Sequence, residues 1–174
     1  MASPIKFAHV VLRTGRFREM LSWWQTVLEA EARFENEFIA FLSYDDEHHR
    51  IALINAPLED PEPGRAGIDH VAYTYASFDD LFDTYTRLGA EGIEPYWTIH
   101  HGGTLSAYYR DPDGNQVELQ IDAMSPEAID EFVRSGVFAA NPIGINVSFD
   151  DLIARRASGE SAESLLAYPA QTDA

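Results

Sequence analysis

Two stretches of this chain repeat one another. FAHVVLRT at 7–14 and IDHVAYTY at 68–75 are short β-rich runs with His-Val at their third and fourth positions, so His9 and His70 are equivalent. The sequence after each run matches as well. Phe17, Met20, Leu21, Trp24 and Leu28 recur at helical spacing after the first; Phe78, Leu81, Phe82 and Tyr85 do so after the second. Ser77 is suited to cap the second helix, and Gly89 to end it. Three strand-like segments follow in each half, at 31–36, 38–44 and 49–55, then at 95–100, 104–110 and 115–121. Asp111-Pro112-Asp113-Gly114 is a turn sequence joining the last two. Each half therefore reads βαβββ, with module 1 at about 5–55 and module 2 at about 68–122. Ala56 to Gly67, with three prolines, two glycines and three acids, reads as the connector. Neither half is expected to be stable alone, because about 55 residues bury too little surface.

The expected fold class is α+β: two tandem βαβββ modules within 1–122, with 123–174 as a helical C-terminal extension of the same domain. In the extension, Ser125-Pro126-Glu127 opens a helix that Gly136 stops, and Asn141-Pro142-Ile143-Gly144 is a turn. Ser148 to Ala157 is a second short helix, acidic in its first turn and basic in its last. The extension is expected to pack on the modules or on a neighbouring subunit, with residues after about 160 fraying.

Composition narrows the function. Twelve Lys and Arg stand against 29 Asp and Glu, a formal charge of −17, which argues against nucleic acid or an anionic membrane surface as partner. With 45% hydrophobic and 12% aromatic residues, the chain is too apolar to be disordered. No apolar stretch approaches the roughly 20 residues of a membrane span. The N-terminal run lacks the charged-then-apolar pattern of a signal peptide, so a cytoplasmic location is expected. Without cysteine, disulfides, thiolate metal sites and cysteine nucleophiles are excluded.

The histidines carry the chemistry. With six in 174 residues, filling both repeat positions by chance has odds of about one in a thousand. Glu118 is the third unusual residue, set in a strand whose alternate positions Val117, Leu119 and Ile121 are apolar. Its own face, with Gln116 and Gln120, could be a solvated stripe. But several strands share such a polar face, and together they could line a cup. A carboxylate inside it is costly unless paired or bound to metal. Two imidazoles and one carboxylate form the ligand set that holds non-haem Fe(II) with positions left open. Aligning the final strands of the repeat sets Ala52 against Glu118, so the fourth donor a closed site would need is missing.

The runs His9-Val10-Val11-Leu12, His48-His49-Arg50-Ile51-Ala52-Leu53, His70-Val71-Ala72 and Tyr108 through Glu118 carry a family resemblance. The chain resembles the vicinal oxygen chelate superfamily, whose paired βαβββ modules form a half-barrel around one metal. More narrowly it resembles the extradiol ring-cleaving dioxygenases in their small form with one module pair. The resemblance implies His9, His70 and Glu118 as Fe(II) ligands, with Mn(II) an alternative for the same donors. It implies a catechol and O2 as substrates, a muconic semialdehyde-type product, and a lean towards a biphenyl-type diol. It gives His49 a role in stabilising oxygen and shuttling a proton, although strict strand alternation would aim His48 inward instead. Tyr108 corresponds to the tyrosine that hydrogen-bonds the catecholate, and His100 or His101 to the histidine lining the substrate's other side. Trp97, Tyr96, Phe38 and Phe41 are candidate aromatic walls or core residues. Two other readings stay open: a glyoxalase- or epimerase-type metalloenzyme, against which Ala52 counts, and a metal-free protein that binds an aromatic antibiotic. A homo-oligomer is expected from the prevalence of symmetric assemblies.

Overall fold

The computed structural model describes residues 2–59 and 66–169, so part of the connector, residues 60–65, lies outside the described residues. The chain divides into two compact units, Met1–Gly67 with Asp111–Asn115, and Ile68–Arg110 with Gln116–Ala174.

The first unit contains strand β1 (Val10–Thr14), helix α1 (Phe17–Leu28) and strands β2 (Glu31–Glu35), β3 (Ile39–Ser43) and β4 (Ile51–Asn55). Its sheet runs β1-β4-β3-β2, with β1 and β4 parallel and the other neighbours antiparallel. Strand alternation turns Ala40, Leu42, Ile51 and Leu53 inward, all buried, together with the α1 stripe Phe17, Met20, Leu21, Trp24 and Val27. The Asp111–Asn115 turn belongs to this unit. Trp24 Nε1 donates to Asp111 Oδ2 at 3.3 Å, and the Arg16 guanidinium donates to the Pro112 carbonyl. Asp111 Oδ1 also accepts from the Asp113 and Asn115 backbone amides at 3.1 and 2.8 Å, which closes the turn with Gly114 at φ +83°.

The second unit contains β5 (His70–Thr74), α2 (Phe78–Ala90), β6 (Trp97–His100), β7 (Thr104–Arg110) and β8 (Gln116–Asp122). It then adds α3 (Pro126–Arg134), α4 (Val137–Ala140), β9 (Ile145–Asn146), α5 (Phe149–Ala157) and α6 (Ala162–Leu166). The sheet order β5-β8-β7-β6-β9 repeats that of the first unit and gains one strand at its edge. Ser77 caps α2 as expected, accepting from the Asp80 amide. The helix does not end at Gly89. It runs to Ala90, and Gly92, at φ +76°, reverses the chain while the amides of Gly92 and Ile93 bond back to Gly89 and Leu88 at 3.0 and 2.9 Å.

The extension packs on the second module. Beyond the β9–β6 pairing, Phe149 of α5 lies 4.5 Å from Phe82, Arg156 donates twice to Asp79 at 2.9 Å, and Tyr85 donates to Asp150 at 3.0 Å. The expectation that residues after about 160 fray is overturned up to Pro169. Ser161 caps α6, whose Leu165 is buried, and residues 170–174 lie outside the described residues.

Candidate active site

In the second unit the ladder registers decide which side chains meet. Parallel pairing sets His70 beside Gln116 and Ala72 beside Glu118; antiparallel pairing sets Tyr108 beside Glu118 and Trp97 beside Tyr108. Residues side by side in a ladder share a face. His70, Glu118, Tyr108 and Trp97 thus project together, while Val117, Leu119 and Tyr109 turn into the apolar side.

His70 Nε2 lies 3.0 Å from Glu118 Oε2, and its Nδ1 lies 2.8 Å from Asp69 Oδ2. A carboxylate holding one ring nitrogen orients the other. Glu118 is only 4% exposed, and an unpaired carboxylate at that depth would cost several kcal/mol. It is met by His70 and by the hydroxyl of Tyr108. Burial first, then the charge of Glu118 and the hydrogen bond to it, push the Tyr108 phenol well above its ordinary pKa, so it stays protonated at neutral pH. An imidazole nitrogen backed by a carboxylate, with a second carboxylate beside it, suits a divalent metal of borderline softness.

The adjacent histidines part company. His101 Nε2 lies 3.0 Å from the Tyr108 hydroxyl, and its Nδ1 meets the Ile143 carbonyl. His100, one residue earlier on β6, turns to the other face, as alternation requires. There it is 1% exposed, with Nε2 2.9 Å from the Leu166 carbonyl and Nδ1 accepting from the Gly102 amide at 3.1 Å. Burial holds its pKa below the usual histidine value. Of the two candidates for the substrate side, the structure brings only His101 to Tyr108. His100 is a packed residue with both nitrogens taken.

In the first unit, Val11 pairs with Ala52 as Ala72 pairs with Glu118, so Ala52 occupies the place that Glu118 holds in the second sheet. His9 precedes β1 and is exposed. Its ring centroid is 4.3 Å from that of His49 and 6.3 Å from that of His48. His49 stacks on Phe41 at 4.5 Å, and Phe41 pairs with Ala52, so His49 shares the Ala52 face. Strict alternation would have aimed His48 there. It fails because β4 begins only at Ile51 and residues 48–50 are not strand. His48 is exposed, its Nδ1 2.6 Å from that of His49. Burial, followed by the nearby His9 and His48, lowers the pKa of His49.

The structure thus gathers His70, Glu118, Tyr108 and His101 in one unit, and His9, His48 and His49 in the other. Among the described residues, no three His, Asp or Glu side chains are drawn into a ready metal cluster. Trp97, a candidate aromatic wall, lies on the Tyr108 ring at 4.9 Å and 29°, and its Nε1 donates to Asn146 Oδ1 at 2.8 Å. Tyr96 and Phe38 are 44% and 61% exposed. Sequence reasoning passed over Asp69, although an acid immediately before a strand histidine was there to be noticed. It also passed over Asn146 and the Ile143 carbonyl, which no motif marks.

Comparison with known proteins adds an independent line. The family model described as the Glyoxalase/Bleomycin resistance protein/Dioxygenase superfamily matches residues 6–119. Biphenyl-2,3-diol 1,2-dioxygenase 2 of Rhodococcus globerulus is 47% identical over 156 residues, covering 88% of this chain and 81% of that protein. Biphenyl-2,3-diol 1,2-dioxygenase 3 of the same organism is 41% identical over 143 residues, covering 80% and 75%. Among solved structures, a lactoylglutathione lyase from Agrobacterium tumefaciens has a TM-score of 0.56 at 20% identity, covering 69% of this chain and 96% of that one, a likeness of fold alone.

Proposed function

The chain belongs to the Glyoxalase/Bleomycin resistance protein/Dioxygenase superfamily, and from that membership we propose that it is an extradiol dioxygenase, an enzyme that opens a catecholic ring beside its diol with O2. The substrate we assign is a bicyclic diol of the 2,3-dihydroxybiphenyl kind, which the names of the two Rhodococcus relatives support. The observation that carries the reading is Glu118, a buried carboxylate paired with His70 and the Tyr108 hydroxyl. Ala52, standing where a fourth donor would be, speaks against a glyoxalase- or epimerase-type site.

His9, His70 and Glu118 would hold the metal, Fe(II) in this reading, with Mn(II) the alternative for the same donors. When bound, such an ion supplies a coordination sphere in which a diolate and O2 can exchange electron density. The chain's own groups then handle protons. A diol must shed protons to chelate, and His101, whose Nδ1 meets the Ile143 carbonyl, can take one on Nε2 by way of the Tyr108 hydroxyl. That hydroxyl has a single proton for two acceptors, Glu118 and His101, so it serves one at a time and can turn from the carboxylate to the imidazole. His49, with its lowered pKa, is assigned the second proton transfer, on the oxygen side. A homo-oligomer and a cytoplasmic location complete the proposal; among the described residues no helix is long and apolar enough to cross a membrane.

Anaerobic loading with Fe(II), addition of 2,3-dihydroxybiphenyl and then admission of air tests it. A yellow ring-fission product with stoichiometric O2 uptake is expected. Tight diol binding with no O2 uptake would overturn the assignment in favour of a sequestering protein.

A further inference from the structure

We propose that residues 143–146 of the C-terminal extension are a positioning clamp for the reaction: the Ile143 carbonyl fixes the tautomer of His101, and Asn146 holds Trp97 flat against Tyr108. The consequence for turnover rests on the dioxygenase reading; the clamp itself rests on geometry within the second unit.

The tautomer follows from what each partner can do. A backbone carbonyl only accepts, so the proton of His101 sits on Nδ1, where Ile143 meets it. Nε2 is then left bare towards the Tyr108 hydroxyl, 3.0 Å away. His100 is held the opposite way. The Leu166 carbonyl requires the proton on Nε2, and the Gly102 amide, a pure donor, requires a lone pair on Nδ1. Two consecutive histidines are thus locked in opposite tautomers, each by a carbonyl of the extension.

The segment is built to reach this position. Asn141 brackets the turn, donating to the Gly144 carbonyl at 2.7 Å and accepting from the Gly144 amide at 3.0 Å. Gly144 has φ +111°, and a Cβ there would lie 2.3 Å from the His100 carbonyl oxygen and 2.9 Å from the His101 Cα. Only glycine lets the chain lie this close to the backbone of the two histidines. Ile145 and Asn146 then pair with His100 and Ile99, and the Val147 carbonyl accepts from the Thr98 hydroxyl at 2.6 Å. From that register the Asn146 side chain receives the Trp97 indole N–H, and the indole packs on the Tyr108 ring at 4.9 Å. Tyr108 is therefore held at its hydroxyl by His101 and on its ring by Trp97. Both of these are set by the extension.

The test reads both halves of the clamp. Imidazole 15N–1H correlation spectra of the metal-free wild-type protein should show His101 as the Nδ1–H tautomer and His100 as Nε2–H. Asn141→Ala should release His101 from its tautomer while His100 keeps its own. In the loaded enzyme, Asn146→Leu should lower kcat by about tenfold to a hundredfold, as expected for a misplaced reacting group, with anaerobic diol affinity within about twofold. Asn146→Asp, which keeps the acceptor, should restore kcat. An Nε2–H tautomer at His101 in the wild type, or unchanged kcat in Asn146→Leu, overturns the clamp. Absence of ring cleavage in the wild type would instead overturn the dioxygenase reading, and the metal-free spectra would still decide the clamp.

Discussion

Glu118 sits on a strand whose neighbours Val117, Leu119 and Ile121 are all buried, and it is itself nearly inaccessible. That combination is tolerable because His70 and Tyr108 face it across the ladder. The phenol of Tyr108 lies between the carboxylate and His101, so its hydroxyl can be removed while all three proposed ligands stay in the chain. Tyr108→Phe should bind metal with unchanged stoichiometry and lose about a hundredfold in kcat, the usual scale of an acid–base contribution. Metal analysis beside single-turnover kinetics checks this, and loss of the metal would show Tyr108 to be structural. His9, His70 and Glu118 stand out in the sequence as candidates because each violates a local expectation: a histidine repeated at one position, a charge within an alternating apolar strand. The choice between His100 and His101 was not legible. It depends on strand phase and on carbonyls of residues 143 and 166, which leave no side-chain signature.

At the scale of elements, the sequence rules mostly hold, and their failures are instructive. A glycine does end α2, but it is Gly92, because the helix needs its left-handed residue one position past the cap and Gly89 is still inside the last turn. Alternation mispoints the His48-His49 pair because it was extended three residues beyond the strand that obeys it. The Asp111 turn was read correctly as a turn but not as an anchor. Its carboxylate accepts from two backbone amides, the Asn115 side chain and the Trp24 indole, and burial raises its pKa. Asp111→Ala would leave those donors unmet, and urea unfolding should show a loss of about 2–3 kcal/mol at unchanged m-value. The α5–α6 junction carries its own pH dependence. Arg155, followed by the Ser164 hydroxyl, pulls the Glu160 carboxyl from 4.5 down to about 2. A depressed folded-state pKa means stability present above 4.5 and lost as pH falls towards about 2. Acid titration of the α6 amide resonances should show that loss at low salt, and Glu160→Gln should remove it.

For the molecule as a whole, the duplication matters because the proposed donors belong to both repeats, and Ala52 stands in the first sheet where Glu118 stands in the second. A chain of net charge −17 also favours cations over anionic partners at long range. Folding and metal affinity should then be linked. A ligand that binds only the native state at a hundred times its Kd adds about 2.7 kcal/mol. For a chain of this length each kcal/mol moves Tm by roughly 2–4 °C, so anaerobic Fe(II), or Mn(II) under air, should raise Tm by about 5–10 °C. His9→Ala and His70→Ala should each abolish that shift, whereas His48→Ala should retain it. Scanning calorimetry with and without metal reads all four proteins on one scale. A full shift in His9→Ala would remove the first repeat from the ligand set and leave the metal to the second repeat alone.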